Sequence, residues 1–338
     1  MIERNDRLKA LFDSSGFGLE IGPSYNPVLR KAEGYNVETV DHADAETLRS
    51  KYRTMPGYAD IEEVDYVSDG RSLLDLIGRR KSYDFIIASH VIEHVTDMVT
   101  FLHDCDQLLR DGGALVLAVP DKRYCFDVFR PLTTIGEVSE AYFQKRVRHS
   151  PATLIDDVLY SVSKPTRFVW SDKNTSDLRL RYSPDDLRNI LSRIKETHYI
   201  DAHAWCFVPS SFVFIIEKLN NLGLSELGVS HLSKSSDELY QHEFFVVLSR
   251  DAQTGQAADV DRFQDIETEL REIDTPDRIS DRIKNESMLR KLAETLSASV
   301  QDERRRADEA ERRYGDLVNT KTFRYTAFLR NQYARLRS

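Results

Sequence analysis

Short apolar runs that end in turn or polar residues recur along the first third of the chain. The clearest are residues 18–22, 37–41, 85–89 and 114–119. Such runs are typical of parallel strands that are buried on both faces of a sheet. The first run ends in a glycine turn and the second in a carboxylate about 20 residues later, which is how open α/β sheets hold nucleoside cofactors. The pattern predicts an α/β fold with a doubly wound, mostly parallel sheet.

The turn after the first run argues against a dinucleotide cofactor. A pyrophosphate needs glycines in the spacing G-x-G-x-x-G, so that it can approach the N-terminus of a helix. Here the glycines are Gly18 and Gly22, and the bulky sequence Pro-Ser-Tyr-Asn-Pro follows Gly22. Glu20 lies inside the strand, where a carboxylate repels phosphate and attracts a cation. These residues favour a ligand without phosphate.

At this point the chain resembles the class I S-adenosylmethionine-dependent methyltransferases. The first motif of that family is an apolar–acidic–apolar–glycine strand and turn, and the sequence Leu19-Glu20-Ile21-Gly22 matches it. The family's cofactor carries an ammonium and a sulfonium group but no phosphate. The resemblance covers residues 15–121 well and extends more loosely to residue 250. It implies a methyltransferase with S-adenosyl-L-methionine as cofactor and a Rossmann-like sheet of seven strands.

The resemblance also implies the order of elements along the chain. A helix is expected at residues 26–33, a strand at 65–68, and a helix at 97–109 that stops at a glycine pair. Further elements, expected from caps and patterning, are listed here: a helix from Ser183 to about Arg193, a strand at 198–206, a helix from Pro209 to about Asn221, and a last, antiparallel strand at 243–248.

Residues at the strand ends are expected to bind the cofactor. In the family, the acid that ends the second strand binds the ribose hydroxyls, and a side chain after the third strand lies beside the adenine. The residues so expected are Glu20, Gly22, Asp41, Asp69, Ser89, His90 and Glu93. Structural explanations stay open for the acids: a surface position for Glu20, a strand-end cap for Asp41, a turn for Asp69, and a helix cap or brace for Glu93 with His94.

The segment from 122 to 180 is expected to be an insertion that forms a lid over the substrate. It starts at the sheet edge where ligands bind and is dense in aromatic, acidic and arginine side chains. Such side chains suit a polyhydroxylated substrate, because rings stack on sugar C–H faces while carboxylates and guanidinium groups bind hydroxyls. The alternative is a helical lid with core aromatics and solvated charges. The residues expected to bind substrate are Arg123, Tyr124, Asp127, Arg130 and Trp205.

A hydroxyl acceptor needs a general base, and a histidine suits this role near neutral pH. In a strand at 198–206, His203 shares one face with Asp201 and Trp205, which is unusual for a core. His90 follows the strand at 85–89, beside the expected sulfonium. His203 and His90 are therefore the first candidates for the base, and Asp121 and Asp127 are the carboxylate alternatives.

Composition excludes several classes of function. The chain has 338 residues, enough for about two domains, and a net charge of −9, which argues against nucleic acid as a partner. Its three cysteines are far apart, so neither a disulfide framework nor a zinc site is expected, and no metal is predicted. Neither a signal peptide nor an apolar run of membrane-spanning length occurs. The expected location is the cytoplasm.

The C-terminal part of the chain has a different character. Residues 1–250 are expected to form the methyltransferase domain, 251–258 a linker, 259–318 a helical coiled-coil region and 319–338 a basic, aromatic tail. A seam with spacing of four and three residues predicts self-association into a homo-oligomer. Its apolar positions are Leu289, Ala293, Leu296, Val300, Ala307, Ala310, Tyr314 and Leu317. The tail is expected to contact the inner face of a membrane or a glycan-assembly partner.

The layout of methyltransferase, coiled coil and basic tail resembles bacterial surface-polysaccharide methyltransferases. That resemblance implies O-methylation of a sugar or glycan in bacterial surface-polysaccharide biosynthesis. Two alternatives remain open. One is a non-catalytic coiled-coil scaffold that keeps the methyltransferase fold, and the other is a methyltransferase of a lipid or another small metabolite.

Overall fold

The computed structural model describes residues 4–164, 168–169, 177–195, 199–234, 242–252, 259–271, 297–298, 300–302 and 304–313. The chain divides into two compact units, residues 1–279 and residues 280–338. The helix at 259–271, which the sequence groups with the coiled-coil region, belongs to the first unit.

The first unit alternates strands and helices. Its strands are β1 Gly18–Ile21, β2 Val37–Asp41, β3 Tyr66–Val67, β4 Tyr83–Ser89, β5 Leu109–Pro120, β6 Val162–Ser163, β7 Arg179–Leu180, β8 Gly228–Ser233 and β9 Glu243–Ser249. Its helices are α1 Arg4–Lys9, α2 Ala45–Lys51, α3 Leu73–Ile77, α4 Met98–Leu108, α5 Ile135–Phe143, α6 Pro151–Tyr160, α7 Pro184–Arg193, α8 Pro209–Asn221 and α9 Asp259–Arg271.

Seven strands form one sheet in the order β3-β2-β1-β4-β5-β9-β8. The strands from β3 to β5 are parallel, and β9 pairs antiparallel with both β5 and β8. The predicted seven-stranded, mostly parallel sheet and its antiparallel last strand are confirmed. The strand order reverses between β1 and β4, and ligands of open α/β sheets bind at the carboxyl ends of strands beside such a point.

Alternating side chains of the central strands fill two cores, one on each face of the sheet. Ile86 and Ala88 of β4 face a core shared with α4 and α8, whereas Phe85 and Ile87 face a core shared with α1. Gly18 is required at the start of β1, because a Cβ there would collide with the ring of buried Phe85. The apolar runs of the sequence thus follow from burial on both faces.

The helix expected at 26–33 is wrong. Only a short 3-10 turn, Lys31–Glu33, forms there. The reason is Glu20, whose carboxylate accepts hydrogen bonds from the backbone N–H groups of Val28 (2.6 Å) and Leu29 (3.0 Å). Because the side chain already satisfies these donors, the segment packs as a loop in which Val28 and Leu29 are buried.

The strand expected at 198–206 is also wrong within its described residues, 199–206. These residues have no regular secondary structure. The segment is held by single hydrogen bonds to other loops: Ala204 N–H donates to the carbonyl of Glu93 (2.6 Å), and Trp205 Nε1 donates to the carbonyl of Val95 (2.7 Å). Alternating side chains therefore point to different neighbours and do not line two faces of a sheet.

The predicted helices at Ser183–Arg193 and Pro209–Asn221 are confirmed as α7 and α8, and Ser183 caps α7 with Asp186. The expected glycine stop after α4 is wrong: α4 ends at Leu108, and Gly112 and Gly113 lie within β5. The backbone already turns extended at the helix's C-cap.

In the second unit the described residues of 297–313 are helical. Of the predicted seam, Val300, Ala307 and Ala310 lie in this helix, and the other seam positions lie outside the described residues. The tail at 319–338 and most of the linker, 253–258, lie outside them as well. Self-association stays a prediction. None of the described helices is both long and apolar enough to cross a membrane.

Candidate active site

The carboxyl ends of β1, β2, β4 and β5 lie along one edge of the sheet. Because β9 is antiparallel, its first residue also lies at this edge, where Glu243 pairs with Pro120. Residues from distant parts of the sequence therefore meet there.

Glu20 is buried and holds the segment that follows β1 through hydrogen bonds. Its side chain is 1% exposed, and burial raises its pKa to about 7 against the opposing effect of the Val28 and Leu29 N–H groups. The turn itself needs glycine, because Gly22 has φ of +67° and a Cβ there would lie 2.9 Å from Val91 Cγ2. The structure thus gives Glu20 a role in holding the loop and leaves Gly22 at the edge.

Asp41 at the end of β2 anchors the same turn. Its Oδ2 accepts from the backbone N–H of Ser24 (2.8 Å), and its Oδ1 accepts from the N–H of His42 (2.7 Å) and lies 2.6 Å from His42 Nδ1. A carboxylate has about four acceptor positions, so these contacts leave one of them unfilled, although only 1% of the side chain is exposed. Asp69 lies in the exposed turn after β3 and pairs with Arg71 (2.8 Å).

A second group of residues lies at the end of β4. Arg4 donates two hydrogen bonds to Glu243 (2.7 Å each) and one to the hydroxyl of Ser89 (2.7 Å). His90 adopts φ of +54° and donates from Nε2 to Glu243 (2.9 Å). This strained backbone turns the ring toward the carboxylates of Glu243 and Glu93.

The charges of this group hold His90 protonated. Burial would lower its pKa, but the hydrogen bond with Glu243 and the charge of Glu93 raise the pKa of His90 to about 9. Burial would likewise raise the pKa of Glu243, yet His90 and Arg4 lower it to about 2. A histidine that is already protonated at neutral pH does not serve as the general base.

A cluster of three side chains lies beside His90: Glu93, His94 and His203. Glu93 is 1% exposed, and among the described residues neither of its oxygens makes a hydrogen bond. Its Oε1 lies 3.5 Å from His90 Nδ1 and 3.9 Å from His94 Nε2. The rings of His94 and His203 meet edge to face, with centroids 4.6 Å apart.

Both histidines of the cluster are oriented by hydrogen bonds from Nδ1 to carboxylates. Nδ1 of His94 donates to Asp201 (3.0 Å), and Nδ1 of His203 donates to Asp127. Arg130 fixes this second pair through Asp127 (3.2 Å) and the carbonyl of His203 (2.6 Å). Each histidine is therefore oriented with Nε2 as the remaining ring nitrogen.

A methyltransferase domain model matches residues 2–194 of the chain, which include β1 to β5 and most of the edge residues. The chain belongs to this methyltransferase family. The predicted methyltransferase class and S-adenosylmethionine as its cofactor are confirmed.

Two curated proteins match parts of the methyltransferase. The mitochondrial ubiquinone biosynthesis O-methyltransferase of Homo sapiens is 43% identical over 42 residues, 12% of this chain and 11% of that protein. Ubiquinone biosynthesis O-methyltransferase of Rhodopseudomonas palustris (strain TIE-1) is 31% identical over 83 residues, 25% of this chain and 26% of that protein. The chain thus matches about a tenth to a quarter of their length.

Among solved structures, the methyltransferase is similar to the CcbJ methyltransferase from Streptomyces caelestis. The two chains are 12% identical with a TM-score of 0.37, and the match covers 72% of this chain and 92% of that chain.

The edge of the methyltransferase fits the cofactor. The glycine turn at Gly22 lets backbone approach the ligand, and Asp41 would bind the ribose through its unfilled acceptor position. Glu93 would supply negative charge near the sulfonium, whereas Glu243 is already paired with Arg4 and His90.

The remaining predicted residues are packed inside the protein. Asp121 is fully buried and forms a two-pronged ion pair with Arg123, at 2.6 Å for the shortest contact. Arg123 and Tyr124 are buried too, and Tyr124 packs in a small apolar cluster with Val128. Asp127 and Arg130 are buried beside His203, whereas Trp205 is buried in the main apolar core with its Nε1 on the carbonyl of Val95. The structure therefore brings Asp127 and Arg130 together with the cluster, and it pairs Asp121 with Arg123.

Four residues of the site were not among the predicted site residues: Arg4, His94, Asp201 and Glu243. Arg4 precedes the first motif, and nothing in the sequence marks it. Glu243 begins the predicted antiparallel strand, so its position at the edge was available from the strand direction. His94 directly follows Glu93 and was considered only as part of a helix cap or brace, and Asp201 only as a neighbour of His203 on the expected strand.

Stability of the methyltransferase at alkaline pH should depend on His90. Its folded-state pKa of about 9 lies above the ordinary value of 6.5. The protonated ring therefore stabilises the fold fully below about pH 6.5, and this contribution is lost as the pH rises through 9. Urea unfolding at pH 6.5 and 9.5 should show a larger loss of unfolding free energy in the native chain than in His90→Gln. Equal losses in both proteins would contradict the assignment.

Proposed function

We propose that the protein transfers the methyl group of S-adenosylmethionine to a hydroxyl oxygen of a sugar or glycan. The observation that carries the proposal is the cluster of Glu93, His94 and His203 beside the cofactor edge. The curated relatives match too little of the chain to assign its acceptor.

The reaction is an in-line displacement at the methyl carbon. The bond from sulfur to methyl breaks, a bond from the acceptor oxygen to methyl forms, and S-adenosylhomocysteine leaves with a neutral sulfur. The acceptor's proton must be removed as the oxygen attacks. Without a bound ion, the atom placed to take it is Nε2 of His203, because Asp127 holds the Nδ1–H side of that ring. Glu93 and His203 are buried, whereas 32% of the His94 side chain is exposed, so the cluster stays in contact with solvent.

A cavity of about 530 Å³ supports a sugar as the acceptor. It lies between α6 and α7, and Asp201, the partner of His94, forms part of its wall. Its polar lining includes Asp157, Tyr182, Asp186, Asn189 and Arg193. Apolar side chains line another part of the wall, among them Val158 and Ile190. Hydroxyl-binding groups together with an apolar surface are what a sugar ring requires.

A phenolic hydroxyl is the second candidate acceptor. The local matches to ubiquinone biosynthesis O-methyltransferases favour it, because such enzymes are named for O-methylation. A phenol needs the same activation of a hydroxyl but fewer polar contacts along its ring.

The test is methyl transfer by the purified full chain with radiolabelled S-adenosylmethionine. Acceptors would be extracted glycans, free sugars and simple phenols, each with and without the chain. We expect label in the sugar-containing fraction. If only the phenols are labelled, the acceptor is a phenolic hydroxyl and not a sugar hydroxyl. Calorimetry with no heat of S-adenosylmethionine binding and no thermal shift would instead support the non-catalytic scaffold.

A further inference from the structure

We propose that Glu93, His94 and His203 together bind one divalent transition-metal cation. The proposal deepens the proposed function, on which it rests for the role of the ion, because the ion would hold the acceptor hydroxyl. Ion binding itself can be measured without any acceptor.

The first observation concerns the burial and the hydrogen bonding of Glu93. Its carboxylate is almost completely buried, yet neither oxygen makes a hydrogen bond among the described residues. One charged neighbour is the protonated ring of His90, whose Nδ1 lies 3.5 Å from Oε1 of Glu93, too far for a good hydrogen bond. Unfilled acceptor positions of a buried carboxylate are costly, and a bound metal ion would fill them.

The second observation is the orientation of the two histidines. Each ring directs Nδ1 to a carboxylate, His94 to Asp201 and His203 to Asp127. Histidines that bind metals almost always donate the other ring N–H to a carboxylate or carbonyl, which fixes the ring and makes the ligand nitrogen more basic. Both histidines have this arrangement, on two separate segments of the chain.

The third observation is distance. One ligand atom from each of the three residues lies within 4.8 Å of the others. Ligand atoms bound to one ion are roughly 3 to 3.5 Å apart when the bonds are about 2.0–2.1 Å long. Small side-chain rotations bring the three atoms to this spacing, since no described hydrogen bond holds Glu93 back.

A second group with suitable ligands lies nearby but is less fitted to an ion. It consists of His90, His242 and Glu243. Glu243 already accepts two hydrogen bonds from Arg4 and one from His90. Its oxygens are satisfied by cationic donors, which a metal would have to displace.

The ligand set indicates the kind of ion. Two imidazole nitrogens and one carboxylate suit Mn²⁺, Co²⁺, Fe²⁺ or Zn²⁺, whereas Mg²⁺ and Ca²⁺ prefer oxygen ligands. Three protein ligands leave open positions for oxygens of the acceptor. A hydroxyl bound there ionises more easily, and its proton leaves to solvent while His203 serves as a ligand. The resulting oxygen would then attack the methyl carbon.

The test is titration of the metal-free full chain with Co²⁺ alone, followed by visible absorption and calorimetry. We expect one ion per chain and absorption bands of a low-symmetry Co²⁺ site. Glu93→Gln and His203→Asn should each weaken binding at least about 100-fold, and Asp127→Asn about 10–100-fold. His103→Asn, which alters an exposed histidine outside the cluster, should bind as the native chain does.

Circular dichroism and thermal unfolding would first show that each variant is folded. Absence of Co²⁺, Mn²⁺ and Zn²⁺ binding by the native chain would overturn the proposal, as would binding unchanged by both Glu93→Gln and His203→Asn. Methyl transfer that persists after chelation, together with absent ion binding, overturns the metal and keeps the proposed function. Ion binding at the cluster without methyl transfer to any acceptor keeps the metal site and overturns the proposed function.

Discussion

Replacing His203 with asparagine should lower kcat for methyl transfer by about 10²–10⁴-fold while changing the affinity for S-adenosylmethionine by less than about threefold. His203 is the residue on which Asp127, Arg130 and the cluster with Glu93 converge, so its ring nitrogen is required whether it takes a proton or binds an ion. The cofactor turn at Gly22 lies on other elements and should be unaffected. Steady-state kinetics and calorimetry with S-adenosylmethionine measure the two effects separately.

His103→Asn is the matched control, because it removes an exposed histidine of α4 and should change neither kcat nor cofactor affinity. If His203→Asn keeps the native rate in a folded protein, the acceptor is not activated at this cluster. If it loses cofactor affinity to the same extent as kcat, His203 acts in cofactor binding.

Replacing Asp121 with asparagine should destabilise the fold by about 3–5 kcal/mol. Asp121 is fully buried and Arg123 is 4% exposed, so the change leaves a buried guanidinium without the carboxylate that faces it. Breaking a buried ion pair costs far more than breaking an exposed one, because the remaining buried charge loses a carboxylate and regains no water. Equilibrium unfolding in urea would measure the loss.

The control for this variant is Asp111→Asn, whose carboxylate is exposed and pairs with Lys81 at the surface (2.8 Å). It should change the unfolding free energy by less than about 1 kcal/mol. The sequence placed Asp121 among the candidate bases. A folded Asp121→Asn protein with native stability and a large loss of kcat would support that catalytic role and contradict the structural one.

The central strands follow from the sequence because they are buried on both faces, and the number of strands follows from the resemblance to the methyltransferase family. Continuous apolar runs at residues 85–88 and 114–119 leave few alternatives to a parallel sheet, and the acid that ends β2 could be placed at the ligand edge from chain direction alone. The turn at Gly22 was also predictable, since only glycine tolerates its positive φ beside Val91.

Loops were harder to predict, since single side-chain contacts hold them. Glu20 looked like a ligand-facing acid, but its hydrogen bonds to Val28 and Leu29 turn an expected helix into a loop. Alternation at 199–206 suggested a strand, although a few contacts to Glu93 and Val95 decide its path. No local pattern reports such long-range contacts.

The site combines predicted and unpredicted residues because residue type can be read from the sequence, whereas long-range contacts cannot. His203, Asp127 and Arg130 were singled out from residue type, and they do converge, although the strand proposed for His203 does not exist. Arg4 and Glu243 are 239 positions apart and meet only because α1 and β9 reach the same edge. Their pairing depends on the complete sheet.

The most direct measurement is a crystal structure of the full chain with S-adenosylhomocysteine bound. We expect the ribose at Asp41, the adenosine beside the turn at Gly22, and the sulfur directed toward Glu93 and His203. Density for the compound elsewhere, or a sulfur directed away from the cluster, would show that methyl transfer does not take place at this cluster.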